Sequence, residues 1–277
     1  ESQAVAVMTN VEFVGHIDGA SLSVVVQGNL MFLGIGHKLV LFDISEPATP
    51  LVVGKTQPLP GIVVEFVIRD GFAYIADDEA GLRIMDITNP ANPTFVGFYS
   101  IPRYALDDEV NELKYDDVAS VEISNGYAYV AEYQYGLRVV DISDPAHPVE
   151  VGFYDTPGEA HGVAVVGEIA YVADFDQGVR VVDIADPTNP VEIGYVNTPG
   201  EAQSLTVSGE YIYVASGSAG MQVMSITDPA QPVLVGSLSM QGYTQGVTIE
   251  AGYAYVANGS GGMWVVNIAD PTQPVYA

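Results

Sequence analysis

Carboxylates are the reactive groups this chain has in quantity: 35 Asp and Glu stand against 8 Lys and Arg, a formal charge of −27, with 4 histidines and no cysteine. Runs such as Asp77-Asp78-Glu79, Asp107-Asp108-Glu109 and Asp174-x-Asp176 place several side-chain oxygens within a few residues of backbone. Calcium takes about six to eight oxygens, several of them carboxylate, so Asp77, Asp78, Glu79, Asp174 and Asp176 are the candidate ligands for a Ca2+ ion. No Asp-x-Asp-x-Asp-Gly loop with a distal Glu accompanies them, and acidic surface turns are the plainer reading. The absence of thiols removes disulfides and thiolate metal sites. Nucleophilic catalysis finds no support, because there is no Gly-x-Ser-x-Gly elbow and His161 has no serine partner in sequence. Two acidic loops at the right separation could hydrolyse a glycoside, but composition singles out no pair. The summed field repels phosphate backbones and anionic lipid surfaces, which argues against nucleic acid as a partner.

The elements that would position these groups are announced by a repeat. Asp43-Ile-Ser-Glu-Pro47, Asp86-Ile-Thr-Asn-Pro90, Asp141-Ile-Ser-Asp-Pro145, Asp183-Ile-Ala-Asp-Pro187, Ser225-Ile-Thr-Asp-Pro229 and Asn267-Ile-Ala-Asp-Pro271 form one corner written six times, each followed by a second proline three residues on. The intervals between first prolines are 43, 55, 42, 42 and 42, so a unit of propeller-blade size runs along the whole chain. Within Val149–Pro190 the unit reads as four short strands with no helical period, separated by turn residues. A glycine marks the first hairpin of every copy, and Asp70-Gly71 and Asn125-Gly126 are the pairs a two-residue turn prefers, since both central residues need positive φ.

These observations predict an all-β fold and a single domain over residues 1–277: a six-bladed β-propeller of four-stranded antiparallel blades, with repeats covering 11–274. Val11-Glu-Phe-Val-Gly15 matches the outermost strand of a blade, and the C-terminal residues stop where that strand would begin. The N-terminal strand is therefore expected to pair into the last blade and close the ring, hiding an edge. No run reaches the roughly 18 apolar residues of a membrane span, so no membrane insertion is expected.

Leu137-Arg-Val-Val-Asp-Ile-Ser-Asp-Pro145 and Val179-Arg-Val-Val-Asp-Ile-Ala-Asp-Pro187 resemble the repeats of LVIVD-type bacterial and archaeal proteins, which are similar to YVTN and NHL propeller repeats. The likeness spans roughly residues 11–274 and departs where Ser225 and Asn267 replace the corner Asp. It implies a secreted or cell-surface protein, often with flanking domains, and no shared catalytic residues.

In such a blade the loop to the next blade and the loop between the second and third strands emerge on one face. That face collects Tyr133, Tyr135, His161, Gln203 and Gln245, together with an insertion of 13 residues within 100–117 that carries Arg103, Tyr104, Asp107, Asp108 and Glu109. Loops that break a repeat's length are where recognition tends to concentrate. Tyrosines beside carboxylates suit protein or glycan recognition. Trp264 is read as a packing residue at a place held by Leu or Val in other copies. The expected function is a non-catalytic extracellular or cell-surface binding or scaffold module acting through this acidic, Tyr-bearing face on a protein or glycan. The alternatives are a calcium-assisted hydrolase or lyase with its site at the channel mouth near His161, and a structural subunit that self-assembles into a larger surface array.

Overall fold

A computed structural model describes residues 21–100 and 117–277. Six four-stranded antiparallel sheets follow one another, each in the order first, second, third, fourth strand. Blade one covers 21–55, blade two 65–99, blade three 118–154, blade four 162–196, blade five 204–238 and blade six 246–276. The expected N-terminal strand, residues 11 to 17, lies outside the described residues. The fourth position of blade six is opened by Val275–Tyr276, which pairs with Val266 and Asn267.

Local chemistry explains why each unit folds the same way. At the corners the side chain of Asp43, Asp86, Asp141 or Asp183 accepts the backbone N–H two residues on at 2.8 to 2.9 Å, and Asn267 does the same at 2.9 Å. These bonds hold the carboxyls of Asp43 and Asp141 below the ordinary range, and at Asp86 the Thr88 hydroxyl does so first, with the Thr88 N–H adding to it. Ser225 reaches Thr227 N–H only at 3.4 Å, the weakest of the set. The hairpin turns adopt left-handed φ as expected, at 51° and 81° for Asp70-Gly71 and 50° and 82° for Asn125-Gly126. Blades interlock through a glycine in the fourth strand: a Cβ at Gly54, Gly97, Gly152, Gly194 or Gly236 would collide with a corner carbonyl of the next blade, at Pro90, Pro145, Pro187, Ala230 or Pro271. Only a residue without a side chain lets the two backbones meet there.

The core is divided among the seams between blades. In the seam of blades two and three, Tyr74, Ala76, Leu82 and Ile84 pack on Val121, Ile123, Ala128, Val130 and Val140. The same positions build the four other seams from blade one to blade six. Among the described residues no hydrophobic cluster joins blade six to blade one. Val24 and Val26 are 56% and 55% exposed, although their equivalents Phe66 and Ile68 are 2% and 8% exposed. On the other side Met263 is 55% exposed where its equivalent Met221 is fully buried.

Candidate functional site at the channel mouth

Isolated backbone bridges fasten each within-blade loop to the inter-blade loop that follows: Asp78 to Val118, Tyr133 to Ala160, Phe175 to Ala202 and Gly217 to Thr244. Both loop sets therefore share one face, as the repeat predicts. The pairing also generates an order around the channel mouth. Tyr133, Phe175 and Gly217 are equivalent loop residues, and between them come Glu159 and Glu201, each one residue before a bridge partner, with Asp117 and Tyr243 in the corresponding places of their own loops. Acid and ring alternate: Asp117, Tyr133, Glu159, Phe175, Glu201, a gap at Gly217, then Tyr243.

His161 is the centre of this arc. Its ring meets Tyr133 edge-on at 4.7 Å and stacks on Phe175 at 4.9 Å with 15° between the planes. Its Nε2 lies 3.5 Å from a Glu159 carboxylate oxygen. Burial lowers its pKa while Glu159 and a hydrogen bond with Gln203 pull the other way, so the imidazole is neutral at pH 7. Gln203 donates to the Tyr243 hydroxyl at 2.8 Å. Burial raises the Tyr133 phenol, with Asp78, Asp117 and Glu159 adding to the rise. Three of the predicted residues, Tyr133, His161 and Gln203, are thus brought into contact. Gln245 lies along the same rim beside Gly259, its amide oxygen 3.6 Å from where a Cβ there would stand. Tyr135 has its ring 5.6 Å from the Arg138 guanidinium. Arg103, Tyr104, Asp107, Asp108 and Glu109 lie outside the described residues.

Two of the five carboxylates expected to bind calcium pair with arginines. Asp77 is fully buried with its Oδ2 3.3 Å from Arg83 Nε, and Asp174 is fully buried 3.1 Å from Arg180 Nε. Asp174 also accepts the Gly158 N–H at 3.0 Å, which anchors the inter-blade loop. Burial pushes the Asp77 carboxyl up to about 6 against the pull of the Gly61 N–H and Arg83. Each arginine is capped on its far side by a ring, Arg83 by Phe98 at 4.7 Å, Arg138 by Phe153 at 4.7 Å and Arg180 by Tyr195 at 5.0 Å. Glu132 with Arg138 completes the series in blade three, whereas Ser216 with Gln222 replaces it in blade five. Asp77 and Asp174 thus brace their blades. Asp78 is half-buried, while Glu79 and Asp176 are exposed. No group of three or more His, Asp or Glu with metal-holding geometry occurs among the described residues.

Two acids at the channel are not singled out by their sequence neighbourhood. Glu65, in the first strand of blade two, accepts the Val121 N–H at 3.3 Å across the seam. Burial raises its pKa to about 7, and the Glu122 charge adds to the rise. Glu122 is itself raised by burial, with Arg69 opposing. On the opposite face a cleft of about 620 Å³ is lined by Arg69, Asp70, Glu122, Asn125 and Pro145.

The six repeats match a known family. The LVIVD repeat profile matches residues 18–57, 60–100, 116–156, 157–198, 199–239 and 241–277. The chain belongs to the LVIVD repeat family. No curated protein sequence matches it. Among solved structures, this LVIVD propeller is similar to the computationally designed Ika8 protein, at 12% identity and a TM-score of 0.67, over 92% of this chain and 73% of that one. It is similar to the periplasmic gluconolactonase PpgL of Pseudomonas aeruginosa, at 13% identity and a TM-score of 0.76, over 92% of this chain and 82% of that one. It also resembles a Bacteroides fragilis protein provisionally described as a 6-phosphogluconolactonase, at 14% identity and a TM-score of 0.73, over 94% and 83%. Likeness at this level concerns the fold alone. Within the LVIVD repeats, Trp264 pairs with Val256 just as Arg180 pairs with Val172, so it takes the place of Arg83, Arg138 and Arg180 in blades two to four, Gln222 in blade five and Val40 in blade one, and it packs against the cluster of the last seam. It stacks on Tyr276 at 4.9 Å.

Proposed function

We propose that this LVIVD propeller is a non-catalytic binding module working outside the cytoplasm, and that it holds a protein or glycan partner at the channel mouth. The observation that carries this reading is the alternation of carboxylate and ring around the mouth, from Asp117 through Tyr133, Glu159, Phe175 and Glu201 to Tyr243. Blade packing does not require a ring at the loop position of Tyr133 and Phe175, since Gly217 and Gly259 fill it in blades five and six. Phe175 holds φ at 46°, a costly value for a bulky residue, in order to lay its ring on His161. Rings supply contact area at low entropic cost, and the carboxylates supply direction. The test is capture of surface proteins and glycans by the intact chain and by Tyr133→Ala and Phe175→Ala variants. Loss of capture with an unchanged melt supports the reading, and unchanged capture moves recognition to the rim or the opposite face.

A second reading, an enzyme, has one observation in its favour. A carboxyl with its pKa at about 7, as Glu65 has beneath the mouth, is matched to general acid or base work near neutral pH. The gluconolactonase among the structural likenesses makes a sugar lactone the first substrate to try. Turnover that follows a pKa near 7 and disappears in Glu65→Gln would support it. Absence of turnover on lactones and glycosides would leave the binding module.

A further inference from the structure

The cleft of about 620 Å³ on the face opposite the mouth has a volume within the roughly 300–1,000 Å³ of small-molecule sites, and it is built where the chain departs from its own repeat. Two charged residues of its wall make the departure. Arg69 ends the first strand of blade two, at a place held by Gln27, Ser124, Val166, Ser208 and Glu250 in the other blades. Glu122 stands in the first strand of blade three, where the others carry Val25, Val67, Ala164, Thr206 and Thr248. No second cation occurs at the one place and no second charge at the other, so blade packing requires neither.

The bond that Arg69 makes across the seam leads to the same conclusion. Its Nη2 donates to the Ile123 carbonyl at 3.4 Å, and Gln27 ties blade one to the Ile68 carbonyl at 3.2 Å in the same way without a charge. Arg83, Arg138 and Arg180 pair with acids of their own blades, whereas Arg69 forms no ion pair among the described residues. Most of the five guanidinium donors are therefore unspent on the protein. Glu122 Oε1 accepts the Ile123 N–H at 3.0 Å, and its Oε2 has no donor among the described residues. Burial raises the Glu122 carboxyl while the Ile123 N–H and the Arg69 charge oppose the rise, so the two charges border one space without pairing. The rings of Phe72 and Tyr74, 6.4 Å apart, continue the wall with Ile142 and Val165, and Asp70 adds a second carboxylate. A lone anion meets two acids there, and a lone cation meets an arginine. A molecule carrying both charges satisfies Arg69 and Glu122 together.

We infer that this cleft binds a free amino acid with an apolar side chain, its carboxylate on the Arg69 guanidinium and its ammonium on Glu122. The planar fork of arginine takes a carboxylate through two parallel N–H bonds, the ammonium donates to the free Glu122 oxygen, and the side chain lies along the apolar wall. The site is on the other face from Tyr133 and His161 and does not rest on the reading of the mouth.

Calorimetric titration of the full chain with L-phenylalanine, at about pH 8 and fixed ionic strength, tests this. 2-Phenylethylamine lacks the carboxylate and 3-phenylpropanoate lacks the ammonium, so each removes one half of the recognition. Arg69→Gln copies Gln27 and Glu122→Thr copies Thr206 and Thr248, so each variant introduces a residue that another blade already carries there, and a melt checks the fold. Expected are saturable binding of phenylalanine, affinities at least about tenfold weaker for both one-charge analogues, and a loss of at least about tenfold for phenylalanine in either variant. Arg69→Gln should also cease to prefer phenylalanine over 2-phenylethylamine, and Glu122→Thr over 3-phenylpropanoate. Glu210→Gln, at an exposed hairpin of blade five, removes one charge and is expected to bind as the native chain does. No saturable binding, a one-charge analogue held as tightly as phenylalanine, or native affinity in either folded variant would overturn the inference. An equal loss in Glu210→Gln would overturn it too, by assigning the effect to net charge. Capture with Tyr133→Ala tests the mouth separately, so neither result decides the other.

Discussion

Replacing Glu65 with Gln is expected to stabilise the protein in mildly alkaline solution and to leave it unchanged in acid. Burial, with the Glu122 charge adding to it, raises the folded carboxyl from its ordinary value of 4.5 to about 7, while Ser120 and the Val121 N–H oppose the rise. Between those two values the folded chain keeps a proton that the unfolded chain has released. Unfolding in that window therefore loses a proton, and stability falls as pH rises from about 4.5 to about 7. A shift of about 2.5 units at about 1.4 kcal/mol per unit sets a ceiling of about 3 kcal/mol, reduced by whatever water the channel admits. Glutamine keeps an oxygen to accept the Val121 N–H, now at 3.3 Å, and carries no charge at any pH. At about 2 °C per kcal/mol for a chain of this size, the variant should melt on the order of 5 °C above the native protein near pH 9, with the gap closing near pH 5. Differential scanning calorimetry across that range at constant ionic strength provides the measurement. Parallel curves for the two proteins, or a variant that is the less stable at pH 9, would refute the placement of an uncompensated acid beneath the mouth.

Three further outcomes are expected. Arg180→Met leaves Asp174 buried and unpaired and should cost about 3–5 kcal/mol in urea melts, whereas Asp174→Ser with Arg180→Gln, copying Ser216 and Gln222 of blade five, should recover most of it; equal losses in both would show that the pair is dispensable. If the face carboxylates ligate calcium as first expected, calcium should raise the melting temperature above that in chelator at matched ionic strength, and Asp176→Asn should shrink the difference; coincident melts would remove the metal. Trimming the 13-residue insertion between Arg103 and Tyr115 to the spacing of the other copies should leave the melt within a few degrees while weakening partner capture, and an unfolded product would make the insertion structural.

The blades were legible because their determinants are local. A corner Asp caps the N–H two residues away, a proline presets the next φ, and a hairpin needs only its two central residues, so each device is visible within a few positions. The face that carries Tyr133, His161 and Gln203 followed from the same count. The fate of Asp77 and Asp174 did not, because acidic spacing says nothing of burial; the available signal was Arg83, Arg138 and Arg180, each six residues after an acid in its own blade. Glu65 and Glu122 were hidden for a different reason. Their environment is contributed across a seam, from residues more than 50 positions apart, as in the bond from Val121 to Glu65. Trp264 does pack, in the last seam, but only Val40 among its equivalents is aliphatic, the others being Arg or Gln.

Among the described residues the faces of Val24 and Val26 on one side and Met263 on the other are exposed. In a stack whose units are held by nearest-neighbour coupling, an interior blade melts only by breaking two couplings, and a terminal blade by breaking one. Five seams are occupied by hydrophobic clusters among the described residues, so blades two to five are each held from both sides. Opening any one of these four therefore breaks two filled seams. The mouth residues on blades three to five, Tyr133, His161, Phe175 and Gly217, sit in blades held this way, so this arc is expected to be among the last parts of the chain to exchange its amide protons with solvent.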